Sequence, residues 1–220
     1  MTQAKHGAPA AEPRITLATP PRMEPERAAR LLEPALDSGL VACVRIDMPG
    51  AEEPALRAAA GLLRELCHAR DVALILSDHF RLARALGLDG AQVDAARVRL
   101  RDAREALGPD LILGARCAPT RHAGMVAAEA GADYVLFAPV APDPALGDGA
   151  AATPELFEWW AEMIETPVVA EGGVDVALAR RLGPSVDFVV PDPAFWTEDL
   201  PARLAELHAA LGAGRAAASD

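Results

Sequence analysis

Positive charge, paired cysteines and long apolar runs are scarce in this chain, and each shortage removes a class of function. Lysine and arginine total 21 against 32 aspartates and glutamates, a formal net charge of -11 at pH 7. A field of that sign repels phosphate backbones and anionic lipid heads, which argues against nucleic acid and membrane surfaces as partners. The three cysteines, Cys43, Cys67 and Cys117, are odd in number and lack a paired metal spacing. Reduced thiols in a cytoplasmic protein are therefore expected. Residues 1–14 lack the apolar core of a signal peptide, and no apolar run approaches the length of a membrane span. The first turn after a strand, residues 18–22, also lacks the glycine signature of a dinucleotide-binding fold.

What is present is a repeating strand-then-helix rhythm. With 220 residues, 51% hydrophobic and 24% charged, the chain can bury one substantial core in one domain. Short β-rich runs over 14–17, 41–46, 73–76, 90–93, 111–115, 134–137, 168–170 and 188–190 predict eight strands. Helical patterns follow each of them, over 25–36, 54–70, 81–86, 98–107, 119–130, from Pro154 onward, 175–182 and 201–211. In the second helix, Leu56, Ala59, Ala60, Leu63, Leu66 and Cys67 recur at period 3.6. Ser38 and Gly39 stop the first helix, and Thr153 is the expected N-cap before Pro154. Eight such units predict a single-domain (β/α)8 TIM barrel over 14–211, with an open doubly wound sheet as the alternative. Residues 1–13 and 212–220 are expected to be disordered tails.

The stretch 170–174, Ala170 to Val174 through Glu171, Gly172 and Gly173, carries the clearest chemistry. An apolar strand that ends in paired glycines before a helix brings bare backbone N–H groups to the strand's carboxyl end, where an anionic group of a small-molecule ligand can be held. A tight turn with no ligand is the alternative reading.

From Val41 to Val190 the chain resembles thiamine phosphate synthases and the related thiazole tautomerases. The matching residues are Val44 and Arg45 on strand two, Leu76, Ser77, Asp78 and His79 after strand three, and Leu88, Asp89 and Gly90 before strand four. Gly131, Ala132, Asp133, Tyr134 and Val135 at strand six and residues 168–174 at strand seven complete the set. The resemblance implies a barrel that joins a pyrimidine methyl diphosphate to a thiazole phosphate, with Mg2+ assisting the departure of pyrophosphate. It implies catalytic roles for Arg45, Ser77, Asp78, His79 and Arg116, a metal-ligand role for Asp78, and phosphate binding at Gly172 and Gly173.

Several positions depart from the family's pattern. Its alternating Gln, Arg and Lys on strand two correspond to Cys43, Arg45 and Asp47, and its second metal carboxylate falls at Arg97, with Asp94 nearby. Its Ser and His after strand five align with Arg116 and Ala118, and its hydroxyl- and lysine-bearing loop after strand six corresponds to Pro139, Val140, Ala141, Pro142, Asp143 and Pro144. Pro191 and Asp192 stand where a small hydroxyl residue is expected after strand eight. Two functions stay open: a thiamine phosphate synthase-type transferase, and a non-catalytic or repurposed small-molecule-binding barrel of the same family.

Individual residues also keep two readings. Asp78 and His79 either serve a ligand or cap the following helix, with Asp78 as N-cap. Arg45 either binds substrate or neutralises Asp47, Asp78 or Glu171, since a buried charge needs a partner. Glu171 is either a proton-transfer group with a raised pKa or half of a salt bridge to an arginine. Cys43 and Cys117 read as packed thiols, and His122 and His208 as surface residues of helices. Leu156, Phe157, Trp159, Trp160, Met163 and Ile164 exceed the single apolar stripe a barrel helix needs. A homodimer through Trp159 and Trp160 is expected, with packing against the preceding loop as the alternative.

Overall fold

The computed structural model describes residues 13–141 and 151–218. Eight parallel strands close into a barrel in sequence order: β1 (Arg14–Ala18), β2 (Val41–Ile46), β3 (Ala73–Ser77), β4 (Gly90–Asp94), β5 (Ile112–Cys117), β6 (Tyr134–Phe137), β7 (Val168–Val174) and β8 (Phe188–Pro191). The helices are α1 (Pro25–Leu36), α2 (Glu53–His68), α3 (Phe80–Ala83), α4 (Leu100–Leu107), α5 (Arg121–Glu129), α6 (Pro154–Met163), α7 (Val176–Leu182) and α8 (Leu200–Ala218). A short 3-10 turn, Pro193–Phe195, lies between β8 and α8. The single-domain (β/α)8 expectation holds, and the open-sheet alternative is excluded by the pairing of β1 with β8.

Two apolar layers follow from the strand period of two. One face of each strand packs against the helices in a continuous core that includes Leu17, Val44, Leu74, Leu113, Phe137 and Val189. The other face points into the barrel, where Leu136, Ala138, Val169 and Val190 pack with Ala18, Tyr134 and Phe188.

The amino ends of the strands are held by three aspartates in equivalent places. Asp89, Asp133 and Asp187 each immediately precede an even-numbered strand and accept a hydrogen bond from the odd-numbered strand before it: from Leu74 N (2.7 Å), Leu113 N (2.7 Å) and Val168 N (2.8 Å). Each also donates its own backbone N–H to the carbonyl of that same residue. Asp89 and Asp133 belong to the stretches that carry the family resemblance, yet they stand at the floor of the barrel and knit strands together.

The C-terminal tail expected from residue 212 is a correction: α8 continues to Ala218, and Gly214 is buried. The reason is close helix packing. A Cβ on Gly214 would lie 1.9 Å from the Arg180 carbonyl oxygen, and one on Gly183 would lie 2.3 Å from that of Leu211. Bare glycines at both points let α7 and α8 touch backbone to backbone. Thr153 does take the N-cap position of α6, but its side chain makes no cap hydrogen bond. The expectations for residues 1–12, for 219–220, and for Pro142, Asp143 and Pro144 lie outside the described residues.

Candidate active site

The carboxyl ends of the strands bring the expected site residues to one mouth, as closed parallel barrels do. Arg45 ends the inward row of β2, Ser77 ends β3, Asp94 ends β4, Arg116 lies near the end of β5, and Glu171 to Gly173 lie near the end of β7.

Arg45 is the most constrained of them. It is only 2% exposed, and its fork meets the Glu171 carboxylate with both prongs, Nη1 to Oε2 at 3.0 Å and Nη2 to Oε1 at 2.6 Å. Nη1 also donates to Gln92 Oε1 at 2.9 Å, and the Tyr134 hydroxyl donates to the same oxygen at 2.9 Å. Room for this network comes from Gly114, where a Cβ would lie 2.1 Å from Cζ of the Tyr134 ring. Of the two readings of Glu171, the ion pair is the one the structure contains. Burial by itself raises the Glu171 carboxyl, but the Arg45 charge and hydrogen bonds, helped by Arg116, hold it below the ordinary 4.5. The raised pKa is therefore corrected: a neighbouring guanidinium outweighs desolvation.

Asp78 is exposed and adopts φ of +59°, a left-handed conformation that aspartate tolerates better than most side chains. Its backbone N–H donates to Gln92 O at 2.8 Å, and its Oδ1 accepts from Asp94 N at 3.4 Å. It does not cap α3; His79 takes the N-cap position without a side-chain cap bond. Asp94 is already engaged: Oδ1 accepts from Ala96 N at 2.9 Å, and Oδ2 lies 3.6 Å from Arg97 Nε. Among the described residues no three His, Cys, Asp or Glu side chains come together to hold an ion. Asp78 and Asp94 lie side by side, and the position where the resemblance places a second metal carboxylate is Arg97, a guanidinium 3.6 Å from Asp94 Oδ2 that opposes a cation there. Arg116, by contrast, is exposed and makes no ion pair among the described residues.

The glycine pair departs from a simple strand-to-helix turn. Strand β7 runs through it to Val174, and its register against β8 slips between Glu171 and Val174, which leaves Gly172 and Gly173 without partners on β8. Both have positive φ, +88° and +82°. Their carbonyl side is closed by the segment after β6: Val140 N and Ala141 N each donate to Gly172 O at 3.0 Å. A Cβ on Gly172 would lie 2.9 Å from Pro139 Cα, and one on Gly173 would lie 2.5 Å from Ala141 Cβ. Asp192, expected at the mouth, turns its Oδ1 to Ala194 N at 2.8 Å and caps the 3-10 turn.

Three polar residues of the network were not singled out from sequence: Gln92, Tyr134 as a hydrogen-bonding group, and Thr19, whose Oγ1 accepts from Asp47 N at 2.9 Å. Gln92 had a usable signal, a lone amide two residues before Asp94 on an otherwise apolar strand. The thiols of Cys43 and Cys117 are pushed up to about 12 by burial, which fits packed cysteines. Trp160 is a correction to the expected dimer contact. It is 1% exposed, stacked edge-on against Phe137, with its indole N–H donating to Thr166 O at 2.7 Å. Trp159 is half-buried beneath the Arg121 guanidinium, 4.5 Å from the ring centroid.

Comparison with known proteins bears on the family and the fold. The sequence pattern of a family described as thiamine monophosphate synthase matches residues 15–185. The chain is 43% identical over 169 residues to a thiamine-phosphate synthase of Rhodospirillum centenum, covering 77% of this chain and 82% of that one. It is 34% identical over 178 residues to a thiamine-phosphate synthase of Erythrobacter litoralis, covering 80% and 83%. A solved thiamine phosphate pyrophosphorylase from Pyrococcus furiosus superposes with a TM-score of 0.79 at 25% identity, over 91% of this chain and 96% of that one.

Proposed function

Because the chain belongs to the thiamine monophosphate synthase family, we propose that it acts in thiamine biosynthesis as a synthase-type barrel that binds a phosphorylated heterocycle at its mouth and couples pyrimidine and thiazole units slowly. The two-pronged Arg45–Glu171 pair carries this reading. Departure of pyrophosphate needs uncompensated positive charge, and here the buried cation is cancelled by its own carboxylate.

Around that pair, each residue has a part. The side-chain-free backbone at Gly172 and Gly173 holds the phosphate of the thiazole-type ligand, as glycine-rich turns do for anions. Arg116, which makes no ion pair among the described residues, faces the second anionic group. Ser77 and His79, half-buried at the end of β3, orient the ring beside Asp78. No step is routed through Mg2+, since Arg97 stands where the second carboxylate is expected and pairs with Asp94.

Loss of one preorganised charged donor costs about 10²-fold to 10³-fold in rate, so coupling is expected to run at least about 10²-fold below that of the Rhodospirillum centenum relative. The test is incubation with pyrimidine methyl diphosphate, thiazole phosphate and Mg2+ beside that relative, with calorimetric titration of thiazole phosphate alone. Binding with slow turnover supports the reading, and absence of binding removes it. A second reading, a fully competent synthase, is favoured by the 43% identity; equal rates for the two proteins would establish it instead.

A further inference from the structure

The barrel is not filled at its floor. A cavity of about 140 Å³ lies at the amino ends of the strands, rimmed by Arg14, Ala73, Ile112, Tyr134 and Phe188, the first residues of β1, β3, β5, β6 and β8. It reaches inward to Cys43 and Gln92. This is the opposite end from the mouth, and Gln92 and Tyr134 are the residues that link it to the Arg45 network.

Small side chains and an irregular register make the space. Ala73 stands where a larger residue would fill the layer, and the pairing of β1 with β2 passes from Ile15 and Val41 to Thr16 and Cys43, skipping Ala42. Such a bulge bends a strand and re-aims its side chains. Barrel interiors are normally filled by branched side chains, so an opening of this size is a departure that calls for an occupant.

The chemistry of the walls says what kind. Ala42, Val169 and Phe188 give apolar surface, and an apolar cavity of about 150 Å³ accommodates a benzene-sized ring. Gln92 also lines the cavity and is 6% exposed. Its Oε1 already accepts from Tyr134 and Arg45, at 2.9 Å each, and among the described residues its amide nitrogen donates to no side chain or carbonyl. An amide nitrogen at the wall of the cavity can donate to an acceptor atom on an occupant. We propose that the floor cavity is a second binding site, for a single-ring aromatic heterocycle whose ring nitrogen accepts from the Gln92 amide. The proposal is independent of the function assigned to the mouth.

Two probes, pyridine and benzene, test it on the full chain, with the thermal midpoint and the Gln92 side-chain amide NMR signal as readouts. Both probes are expected to raise the midpoint saturably, pyridine more than benzene, and only pyridine should shift the Gln92 amide signal. Gln92→Leu should abolish the preference for pyridine, and Ala73→Leu, which fills the space, should abolish both rises. Should Ala73→Leu fail to fold, Cys43→Leu fills the same cavity from β2. A flat response, or a response that persists in the filled variants, would overturn the proposal. So would an unmoved Gln92 signal with saturating pyridine, an outcome that leaves only water in the cavity.

Discussion

Arg45 on β2 and Glu171 on β7 meet inside the barrel through two hydrogen bonds, 3.0 and 2.6 Å long, and so tie together two strands separated by β1 and β8, just beneath the mouth. The arginine side chain is 3% exposed and the glutamate 20%, so the pair sits where water competes little for either group.

Removing one partner is therefore costly. Arg45→Met is expected to destabilise the fold by about 3 kcal/mol, the lower end of what an orphaned buried charge costs, since Glu171 keeps some contact with water. The double variant Arg45→Met with Glu171→Gln should recover most of that loss. Urea unfolding measures both; a single-variant loss below about 1 kcal/mol would show that the pair is not an energetic unit.

The same pair sets an acid limit. The Glu171 carboxyl in the folded state lies below its ordinary 4.5. Its contribution is then fully present above that value and is lost as pH falls through the lower folded-state value. Urea unfolding of the wild type and of Glu171→Gln between pH 7 and pH 3 should give curves that converge on acidification, and a constant gap between them would refute this assignment.

At the floor, Asp133→Ala removes the acceptor of Leu113 N and the partner of Arg104 Nη2, which it meets at 2.6 Å. A stranded buried N–H costs about 1–3 kcal/mol. Stability should drop by that amount while thiazole phosphate binding at the mouth is unchanged, because this residue lies at the other end of the strands. A selective loss of ligand binding would contradict its structural role.

The glycine pair should tolerate no side chain. Gly172→Ala combines a positive φ with a Cβ placed 2.9 Å from Pro139 Cα, so a loss of about 1–3 kcal/mol and weakened thiazole phosphate affinity are expected. Retention of wild-type affinity in calorimetry would exclude this turn as the phosphate cradle.

Arg97→Asp replaces the guanidinium that engages Asp94 with a carboxylate, and Asp94 N in turn meets Asp78 Oδ1. Mn2+ binding, followed by electron paramagnetic resonance, should appear in this variant and be weak in the wild type. Equal binding by both would show that Arg97 does not obstruct a metal.

Much of the architecture was legible before any coordinates. Period-two apolar strands separated by period-3.6 helices, eight times over, determine a closed α/β barrel, because each strand needs one face on the helices and one in the interior. The inward row of Cys43, Arg45 and Asp47 and the gathering of Asp78, Arg116 and the glycine pair at one end follow from the same periodicity. Which charges cancel did not. Arg45 had three candidate partners, and only barrel closure, which pairs β1 with β8 and so brings β7 within reach of β2, selects Glu171. The length of the last helix was decided by Gly183 and Gly214, which meet Leu211 and Arg180, neighbours 28 and 34 residues away in the chain. Likewise Asp89 and Asp133 sit in site-like stretches of sequence but act at the floor, since a linear pattern records neighbours along the chain and not the end of the barrel at which a residue stands.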